Sequence, residues 1–342
     1  MRIVVSVALM AIMVSGCKKR GGTTDPPVVG SDQIANSKVI INESCDSLKD
    51  WPYTKPVGWS NFIGDSVSCE YPTVNPNNPS EIVFLKTTIG KPLPELTIYN
   101  LLTGSQRIIH KGDVRGYKID WGRNGWILFR QTDQSQSNLP LIYKIKQDGT
   151  GLAQLAFGAG KYFDGIGWTY TADRYFYVRD MNTLVVKQTN TDVTIDSLPF
   201  VYATSCNQFD QVVGLASVNG NLDKVIYDLK GKTTIDISQL SLNRGIYYGD
   251  MTSWMPDGKR IVYVSPLGFG IYDVATNTST TIYENTCKNR SYACVSVSPN
   301  LERIITYAYK AEPLPDTPMN KYAYKIRVLK LDGSDEREIN IR

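Results

Sequence analysis

Residues 252–264 read Thr-Ser-Trp-Met-Pro-Asp-Gly-Lys-Arg-Ile-Val-Tyr-Val, and Gly-Ile-Tyr-Asp-Val follows at 270–274. The Pro-Asp-Gly segment at 256–258 favours a tight turn. Proline presets φ, the aspartate side chain can accept a hydrogen bond from the backbone of the residues that follow, and glycine accepts a positive φ. The flanking runs alternate as strands do and are rich in β-branched and aromatic residues. The stretch therefore predicts a short strand that ends at Trp254, a turn, and two further strands.

This unit recurs along the chain, with one anchor residue at the end of each short first strand. The six anchors are Val74, Trp121, Trp168, Cys206, Trp254 and Val297. They are 47, 47, 38, 48 and 43 residues apart, which is the period of a four-stranded propeller blade. A second landmark, two strands later, recurs at 98–99, 142–143, 185–186, 226–227, 271–272 and 327–328. The sequence thus predicts an all-β, six-bladed β-propeller with four-stranded antiparallel blades.

The ends of the repeat array are less regular than its middle. Residues 311–318 form a proline-rich insertion, which we expect to stay out of the sheet. Residues 336–341 can complete the last blade as a hairpin, while 38–42 either add an edge strand or close the ring. The predicted divisions are a signal peptide (1–16), a lipidated cysteine with a flexible tether (17–37) and a propeller (38–342) whose first blade starts near residue 70.

Three segments, at 142–155, 254–263 and 328–335, resemble the TolB-like, WD-type propeller repeat. The resemblance runs through most of residues 70–342. The resemblance implies a propeller fold and an envelope protein as partner. The repeated residues themselves are turn formers and core, so they identify the fold rather than the function. TolB itself carries an additional α/β domain before its propeller, and the stretch 38–70 is too short to hold one.

The N-terminus resembles a bacterial lipoprotein signal. A positive start (residues 1–2) precedes an apolar stretch (3–14) that is too short to span a bilayer. Val-Ser-Gly-Cys at 14–17 matches the lipobox, which implies that Cys17 is acylated and anchors the protein to a membrane. Lysines at 18–19 in place of aspartate point to the outer membrane. The alternatives are a plain secretory peptide and an anchor on a cytosolic protein.

Composition excludes several classes of function. The 342 residues carry a net charge of +4 without basic blocks, so we expect no nucleic-acid partner. There is no Gly-x-Ser-x-Gly elbow, and His110 is the single histidine. We interpret His110 as a solvated surface residue rather than a metal ligand. The sequence predicts no catalytic residues, no metal and no cofactor, and hence a protein that is not an enzyme.

The cysteines outside the lipobox are odd in number. Cys287 and Cys294 flank a short loop and can form a local disulfide, and Cys45 with Cys69 is a second possible pair. Cys206 is then left over. Its place as an anchor favours a small buried hydrophobe over a nucleophile.

Two sets of side chains are candidate binding residues. A tyrosine precedes every anchor by three to six residues; these are Tyr71, Tyr117, Tyr162, Tyr202, Tyr248 and Tyr292. They can form a ring that grips a protein loop or a glycan, or each can wedge its loop against the next blade. Three acidic residues near the channel mouth, Asp120, Asp164 and Asp250, can gather one cation or cap loop amides.

These observations favour an envelope lipoprotein, on either the periplasmic or the surface side of the outer membrane. We expect its propeller to be a non-catalytic scaffold for protein–protein interaction. The alternative is an accessory lipoprotein that binds a glycan through the tyrosine-rich loops.

Overall fold

The computed structural model describes residues 34–35, 37–39, 67–88, 90–114, 118–133, 139–156, 165–179, 183–189, 194–198, 200–218, 221–237, 252–265, 268–284, 290–313 and 320–341. Within these ranges the regular secondary structure is all-β, in six antiparallel sheets. The described part of the chain holds no helix with the length and apolar character needed to cross a membrane.

Each sheet is a blade of four consecutive strands. Blade 1 contains β2 (Val67–Asn75), β3 (Asn78–Thr88), β4 (Glu95–Asn100) and β5 (Gln106–Lys111). Blade 2 contains β6 (Asp120–Trp121), β7 (Trp126–Asp133), β8 (Leu139–Lys146) and β9 (Ala153–Ala156). Blade 3 contains β10 (Ile166–Trp168), β11 (Arg174–Arg179), β12 (Thr183–Gln188) and β13 (Thr194–Leu198).

The second half of the ring repeats this order. Blade 4 contains β14 (Phe200–Cys206), β15 (Gln211–Val218), β16 (Asn221–Asp228) and β17 (Thr233–Asp236). Blade 5 contains β18 (Thr252–Trp254), β19 (Arg260–Ser265), β20 (Gly268–Asp273) and β21 (Thr278–Glu284). Blade 6 contains β22 (Arg290–Val297), β23 (Arg303–Pro313), β24 (Asn320–Lys330) and β25 (Arg337–Ile339), to which β1 (Ser37–Val39) adds a fifth strand.

The hydrophobic core lies between blades. Each of six apolar clusters joins two neighbouring blades, so no blade buries its faces alone. The anchors Trp121, Trp168 and Trp254 are each less than one-tenth exposed and belong to these clusters. The prediction that they are inter-blade core is confirmed, as are six blades of four strands.

A short N-terminal segment adds an edge strand to blade 6 and also packs on blade 1. β1 pairs antiparallel with β25, at Lys38 opposite Glu338. Just before it, Ile34 is buried in the cluster shared by blades 1 and 6, and the Ala35 N–H donates to the Leu101 carbonyl over 2.8 Å. Of the two predicted roles for this stretch, the structure shows the added edge strand. The predicted flexible tether (17–37) is wrong at its end, because Ile34, Ala35 and Ser37 already pack on or pair with the propeller. We call residues 34–39 the strap.

Two local expectations are wrong. The proline-rich insertion partly joins the sheet, because β23 continues to Pro313, which pairs with Asn320; proline is tolerated at this strand end. His110 is only partly exposed rather than solvated, since its Nε2 lies 2.6 Å from the Gln131 Oε1 atom and its ring packs on Phe129. Gln131 belongs to the neighbouring blade, so the outer strand of blade 1 is bonded to blade 2 at this point.

Candidate functional site

The first strands of the blades surround a narrow central channel. Its inner part, which we call the channel cavity, has a volume of about 50 Å³. Its wall carries mainly hydroxyls, one amine, one carboxylate, one thiol and one phenol. The polar lining residues are Tyr71, Thr73, Lys118, Asp120, Thr204, Ser205, Thr252, Ser253, Cys294 and Ser296.

Hydrogen bonds across every second blade seam link neighbouring blades around this cavity. The residue before an anchor accepts from the anchor N–H of the next blade. The Trp168 N–H donates to the Asp120 carboxylate over 2.7 Å, the Trp254 N–H to Ser205 Oγ over 2.9 Å, and the Val74 N–H to Ser296 Oγ over 3.1 Å. These bonds join blade 2 to 3, blade 4 to 5 and blade 6 to 1. The channel wall is therefore held by its own lining residues.

Lys118 and Asp120 form the charged pair of the cavity. Their Nζ and Oδ1 atoms are 3.9 Å apart, and the side chains are only 16% and 20% exposed. Burial lowers the pKa of the Lys118 amine below its usual range, although Asp120 opposes the shift. Burial likewise raises the pKa of the Asp120 carboxyl, against the effects of Lys118 and of the Trp168 N–H. Both groups are thus moved toward their neutral forms.

Two β-bulges face each other across the seam of blades 1 and 6. Tyr71 and Cys294 both have positive φ, 56° and 52°, at register shifts of β2 and β22. A bulge re-aims a side chain, and both residues line the channel cavity. The Tyr71 ring packs edge-on against Tyr307, with centroids 5.4 Å apart. Burial raises the pKa of the Cys294 thiol far above its usual value, so this thiol is kept protonated.

The cavity opens to a wider mouth of about 150 Å³. Six turns between the first and second strands of the blades surround this mouth, and we call their side of the ring the turn face. Each turn contributes the residue two positions after its anchor. We call this set the mouth ring, and it consists of Pro76, Arg123, Tyr170, Gln208, Pro256 and Pro299.

Side-chain amides fasten neighbouring turns to one another. Asn77 Nδ2 donates to the Arg123 carbonyl over 2.9 Å, and Asn124 Nδ2 donates to the Ala172 carbonyl over 2.8 Å. Asn207 Nδ2 donates to the Gly258 carbonyl over 3.0 Å. The turn face is therefore a bonded rim rather than a set of independent loops.

Within the mouth ring, Arg123 is the one charged residue. Its guanidinium carbon lies 4.2 Å above the centre of the Tyr170 ring, a cation–π contact that leaves the N–H edge of the guanidinium available. Beside the ring, Phe209 is 49% exposed. The mouth thus presents flat apolar surface with one oriented cation.

Three of the six predicted tyrosines fall on described residues. Tyr292 is buried, donates to Glu336 Oε1 over 3.0 Å and packs on Phe269. Tyr71 and Tyr202 are partly buried against the small cluster around Cys294. All three lie on first strands rather than in loops, and the ring contacts of Tyr71 and Tyr292 are with Tyr307 and Phe269 of the preceding blade. Tyr117, Tyr162 and Tyr248 lie outside the described residues, so the ring as a whole stays a prediction.

The other predicted residues are only partly covered. Asp120 lies in the channel, while Asp164 and Asp250 are outside the described residues, and the shared cation stays a prediction. Cys69 and Cys294 are buried, but Cys45 and Cys287 lie outside the described residues and neither pairing is tested. Cys206 is a thiol whose pKa burial raises to about 12, which suits the buried-hydrophobe interpretation. Cys17 and the predicted signal peptide also lie outside the described residues.

Sequence reasoning missed the mouth ring and Lys118. The mouth ring has a simple signal, a fixed offset of two residues after each anchor, but its members share no chemistry. Lys118 lies just before a first strand, and only the ring geometry brings it beside Asp120 in the channel.

Known proteins match this chain by fold alone. No family model and no curated protein sequence matches it. The β-propeller domain of the Trilobed protease from Pyrococcus furiosus is 10% identical with a TM-score of 0.49, over 82% of this chain and 97% of that domain. TolB from Acinetobacter baumannii is 14% identical with a TM-score of 0.36, over 79% of this chain and 53% of TolB. The fold is a TolB-like six-bladed β-propeller. This chain spans about half the length of that TolB.

The expectation that the protein is not an enzyme is wrong, because a propeller scaffold does not exclude catalysis. An acylaminoacyl peptidase from Pyrococcus horikoshii is 12% identical with a TM-score of 0.48, over 80% of this chain and 52% of the peptidase. A propeller of this kind therefore occurs within enzyme chains. Lack of a Gly-x-Ser-x-Gly motif excludes one nucleophile arrangement only, and other side chains in a channel can carry chemistry.

Proposed function

We propose that this protein is an envelope lipoprotein, anchored to the outer membrane through Cys17, whose TolB-like propeller is a protein-interaction scaffold. The lipobox at residues 14–17 supports the anchor. The part of the predicted tether that precedes the strap, residues 17–33, would hold the propeller off the lipid surface, leaving its faces accessible to an envelope protein.

The mouth ring is the observation that carries the scaffold proposal. Protein interfaces are enriched in tyrosine, phenylalanine and arginine and depleted in lysine, aspartate and glutamate. The ring follows this pattern, with Tyr170 and Arg123 in contact, exposed Phe209 alongside, and no lysine or carboxylate among its six members. Proline loses no side-chain entropy on binding. The hydrogen bonds from asparagine side chains to neighbouring turns keep the rim preorganised.

The experiment compares two charge reversals in the full-length protein. Tagged wild type, Arg123→Glu and Lys330→Glu are crosslinked mildly in the envelope of the native organism, purified in detergent and identified by mass spectrometry. Lys330 is an exposed residue at the end of β24 that does not line the mouth, so its variant controls for the change in net charge. We expect one envelope protein to co-purify with wild type and with Lys330→Glu, and to fall at least tenfold with Arg123→Glu.

Equal recovery with all three proteins would contradict binding through the turn face. A fourth variant with Tyr117, Tyr162 and Tyr248 replaced by alanine tests the predicted tyrosine ring separately. If that variant alone loses a protein partner, the scaffold uses the tyrosine-bearing loops; if it loses retention on immobilised envelope glycans instead, the glycan-binding function replaces the scaffold.

A further inference from the structure

Cations gather on the turn face around blade 2. Three of them are exposed and the fourth, Lys144, is partly exposed. The two turns of this blade are bonded to each other, since the Gln147 N–H donates to the Gly125 carbonyl over 3.1 Å. Arg107 of the neighbouring β5 donates to the Gln147 carbonyl. The four cations, which we call the basic patch, are Arg107, Arg123, Lys144 and Lys146.

Aromatic rings orient three of these cations. Arg123 lies over Tyr170, as described above. Lys144 and Lys146 alternate along β8 and therefore point to the same side of the sheet. Their Nζ atoms lie 4.7 and 5.4 Å from the centre of the Trp126 ring. Two ammonium groups that share one ring repel each other, so an anion bound beside them would be stabilised by both charges.

The basic patch differs from the other turns in its lack of ion pairs. On blades 3 to 5 the turn cations are paired: Arg174 and Lys230 lie 2.8 and 3.1 Å from Asp210. Arg260 lies 2.6 Å from Asp257. In the part of the chain that the structure describes, no carboxylate forms an ion pair with a cation of the basic patch. These four charges are therefore available to an external anion.

Asp148 is the one carboxylate in the two turns of blade 2, and its oxygen is already used. Asp148 Oδ1 accepts the N–H and the hydroxyl of Thr150 over 2.8 and 2.7 Å. It lowers the positive potential around Lys146 without pairing with it. Four cations against one carboxylate leave the patch with a net charge of +3, which is complementary to a negatively charged partner.

We propose that the basic patch binds an acidic, extended segment of a protein partner, an inference that rests on the scaffold function proposed above. The Cα atoms of Lys144 and Lys146 are about 7 Å apart along β8, which is also the spacing of alternate side chains in an extended peptide. Carboxylates at alternate positions of the segment can therefore meet both amines. Arg123 is placed to bind a further carboxylate through two parallel hydrogen bonds at the mouth.

The distribution of charge favours a narrow segment over a flat anionic membrane. Asp173 on blade 3 and Asp332 on blade 6 are exposed on the same face of the ring. A membrane laid on the turn face would bring its negative surface against these carboxylates as well as against the basic patch, and like charges oppose such contact. An acidic peptide segment can follow blade 2 alone.

Peptide binding by the purified full-length protein tests the patch. The probe is a fluorescent peptide of alternating glutamate and serine, titrated at low ionic strength and followed by anisotropy. We expect the double variant Lys144→Gln, Lys146→Gln to bind it at least about tenfold more weakly than wild type. The control, Lys259→Gln with Lys330→Gln, removes the same charge from exposed positions on blades 5 and 6. It should change the affinity by less than about twofold.

A third variant separates charge from packing. Replacing both Lys144 and Lys146 by arginine keeps the two charges over Trp126, so it should retain binding. Equal weakening by the two glutamine double variants would overturn the proposal, as would equal affinity for a matched peptide with glutamine in place of glutamate. If the loss appears on phosphatidylglycerol vesicles but not on the peptide, the patch binds a membrane and the proposal is likewise wrong.

These outcomes are distinct from those of the scaffold experiment. If the glutamate peptide does not depend on the patch while an envelope protein still co-purifies through Arg123, the acidic segment is wrong and the scaffold stands. If the peptide binds at the patch and no envelope protein is recovered, the acidic-segment site is supported and the scaffold function is wrong.

Discussion

Asp257 and Gly258 show how single residues of the turn face are constrained by their neighbours. Asp257 Oδ1 accepts the N–H groups of Lys259 and Arg260, and its Oδ2 lies 2.6 Å from the Arg260 Nε. Gly258 has a φ of +66° and lies against the amide of Gln208. The Pro-Asp-Gly turn at 256–258, on which the fold prediction rests, therefore also belongs to the turn face.

Gly258→Ala should destabilise the protein more than Gly125→Ala. Both glycines have positive φ, so both variants carry backbone strain. Around Gly125 a Cβ meets nothing within 4 Å, whereas at Gly258 it comes within 2.7 Å of Gln208 Cδ. Gln208 must then give up its bond to the Asp257 carbonyl, which adds about 1 kcal/mol to the loss of unfolding free energy.

Urea unfolding of the two variants measures this difference directly. Equal losses for Gly258→Ala and Gly125→Ala would mean that Gln208 is not held against the turn.

The Asp257 carboxylate should make the propeller sensitive to acid. Burial opposes its ionisation, but hydrogen bonds from Lys259 and Arg260 outweigh burial and hold its pKa below 3.8. A group whose pKa is lowered by folding contributes stability above its unfolded-state pKa, and that stability is lost as the pH falls through the folded-state pKa. Between pH 7 and pH 3, wild type should therefore lose more unfolding free energy than Asp257→Asn.

Chemical denaturation at a series of pH values tests this. Parallel curves for wild type and Asp257→Asn would contradict the account of the turn.

At the scale of elements, the strap holds the one described strand, β1, that does not pair with a strand next to it in the sequence. It joins β25 of blade 6, while the residues just before it contact blade 1: Ala35 bonds to Leu101, and the Tyr99 hydroxyl donates to the Ala35 carbonyl over 3.1 Å. Because Ile34 fills the core between the two blades, the strap stabilises the seam of the ring.

Ile34→Ala should lower the unfolding free energy by about 2–4 kcal/mol, the usual cost of truncating a buried isoleucine. Ile34 is 4% exposed, and Leu93, at 43% exposed, offers a matched control. Leu93→Ala should change stability by less than about 0.5 kcal/mol. Similar losses from the two variants, measured by urea unfolding, would show that the strap does not contribute to the seam.

Much of the element order could be predicted because a propeller repeats. Trp121, Trp168 and Trp254 mark the first strands, and the landmarks from 98–99 to 327–328 all lie on third strands, as a fixed blade period requires. Features set by contacts between blades could not be predicted. The bulges at Tyr71 and Cys294 and the bond between His110 and Gln131 depend on the neighbouring blade, which the local sequence does not specify.

The candidate site was harder to predict than the fold for the same reason. The tyrosines before the anchors were visible as a sequence pattern, but the contacts of Tyr292 lie in the core of blades 5 and 6. The mouth ring can be recognised only in the folded structure, where six turns lie around one opening. A site made by ring closure has no local sequence signature beyond its spacing.

In the whole molecule, the strap packs across the seam of blades 1 and 6, and apolar cores fill the six interfaces between blades. Hydrogen bonds join neighbouring turns of the turn face. Rings of this kind leave no blade to unfold independently, since each buries its faces on two neighbours. The mouth ring is thus presented by a rigid body. Such preorganisation reduces the entropy lost on binding a partner, which is the physical basis for a scaffold.

The most direct test of the scaffold is photo-crosslinking in intact cells. A photoreactive phenylalanine analogue replaces Gln208 in the mouth ring in one protein and Lys330, outside the mouth lining, in another. The account predicts one crosslinked envelope protein from position 208, lost when Arg123→Glu is added, and no such product from position 330. The same products from both positions, or a position-208 product that survives Arg123→Glu, would contradict a partner bound at the mouth.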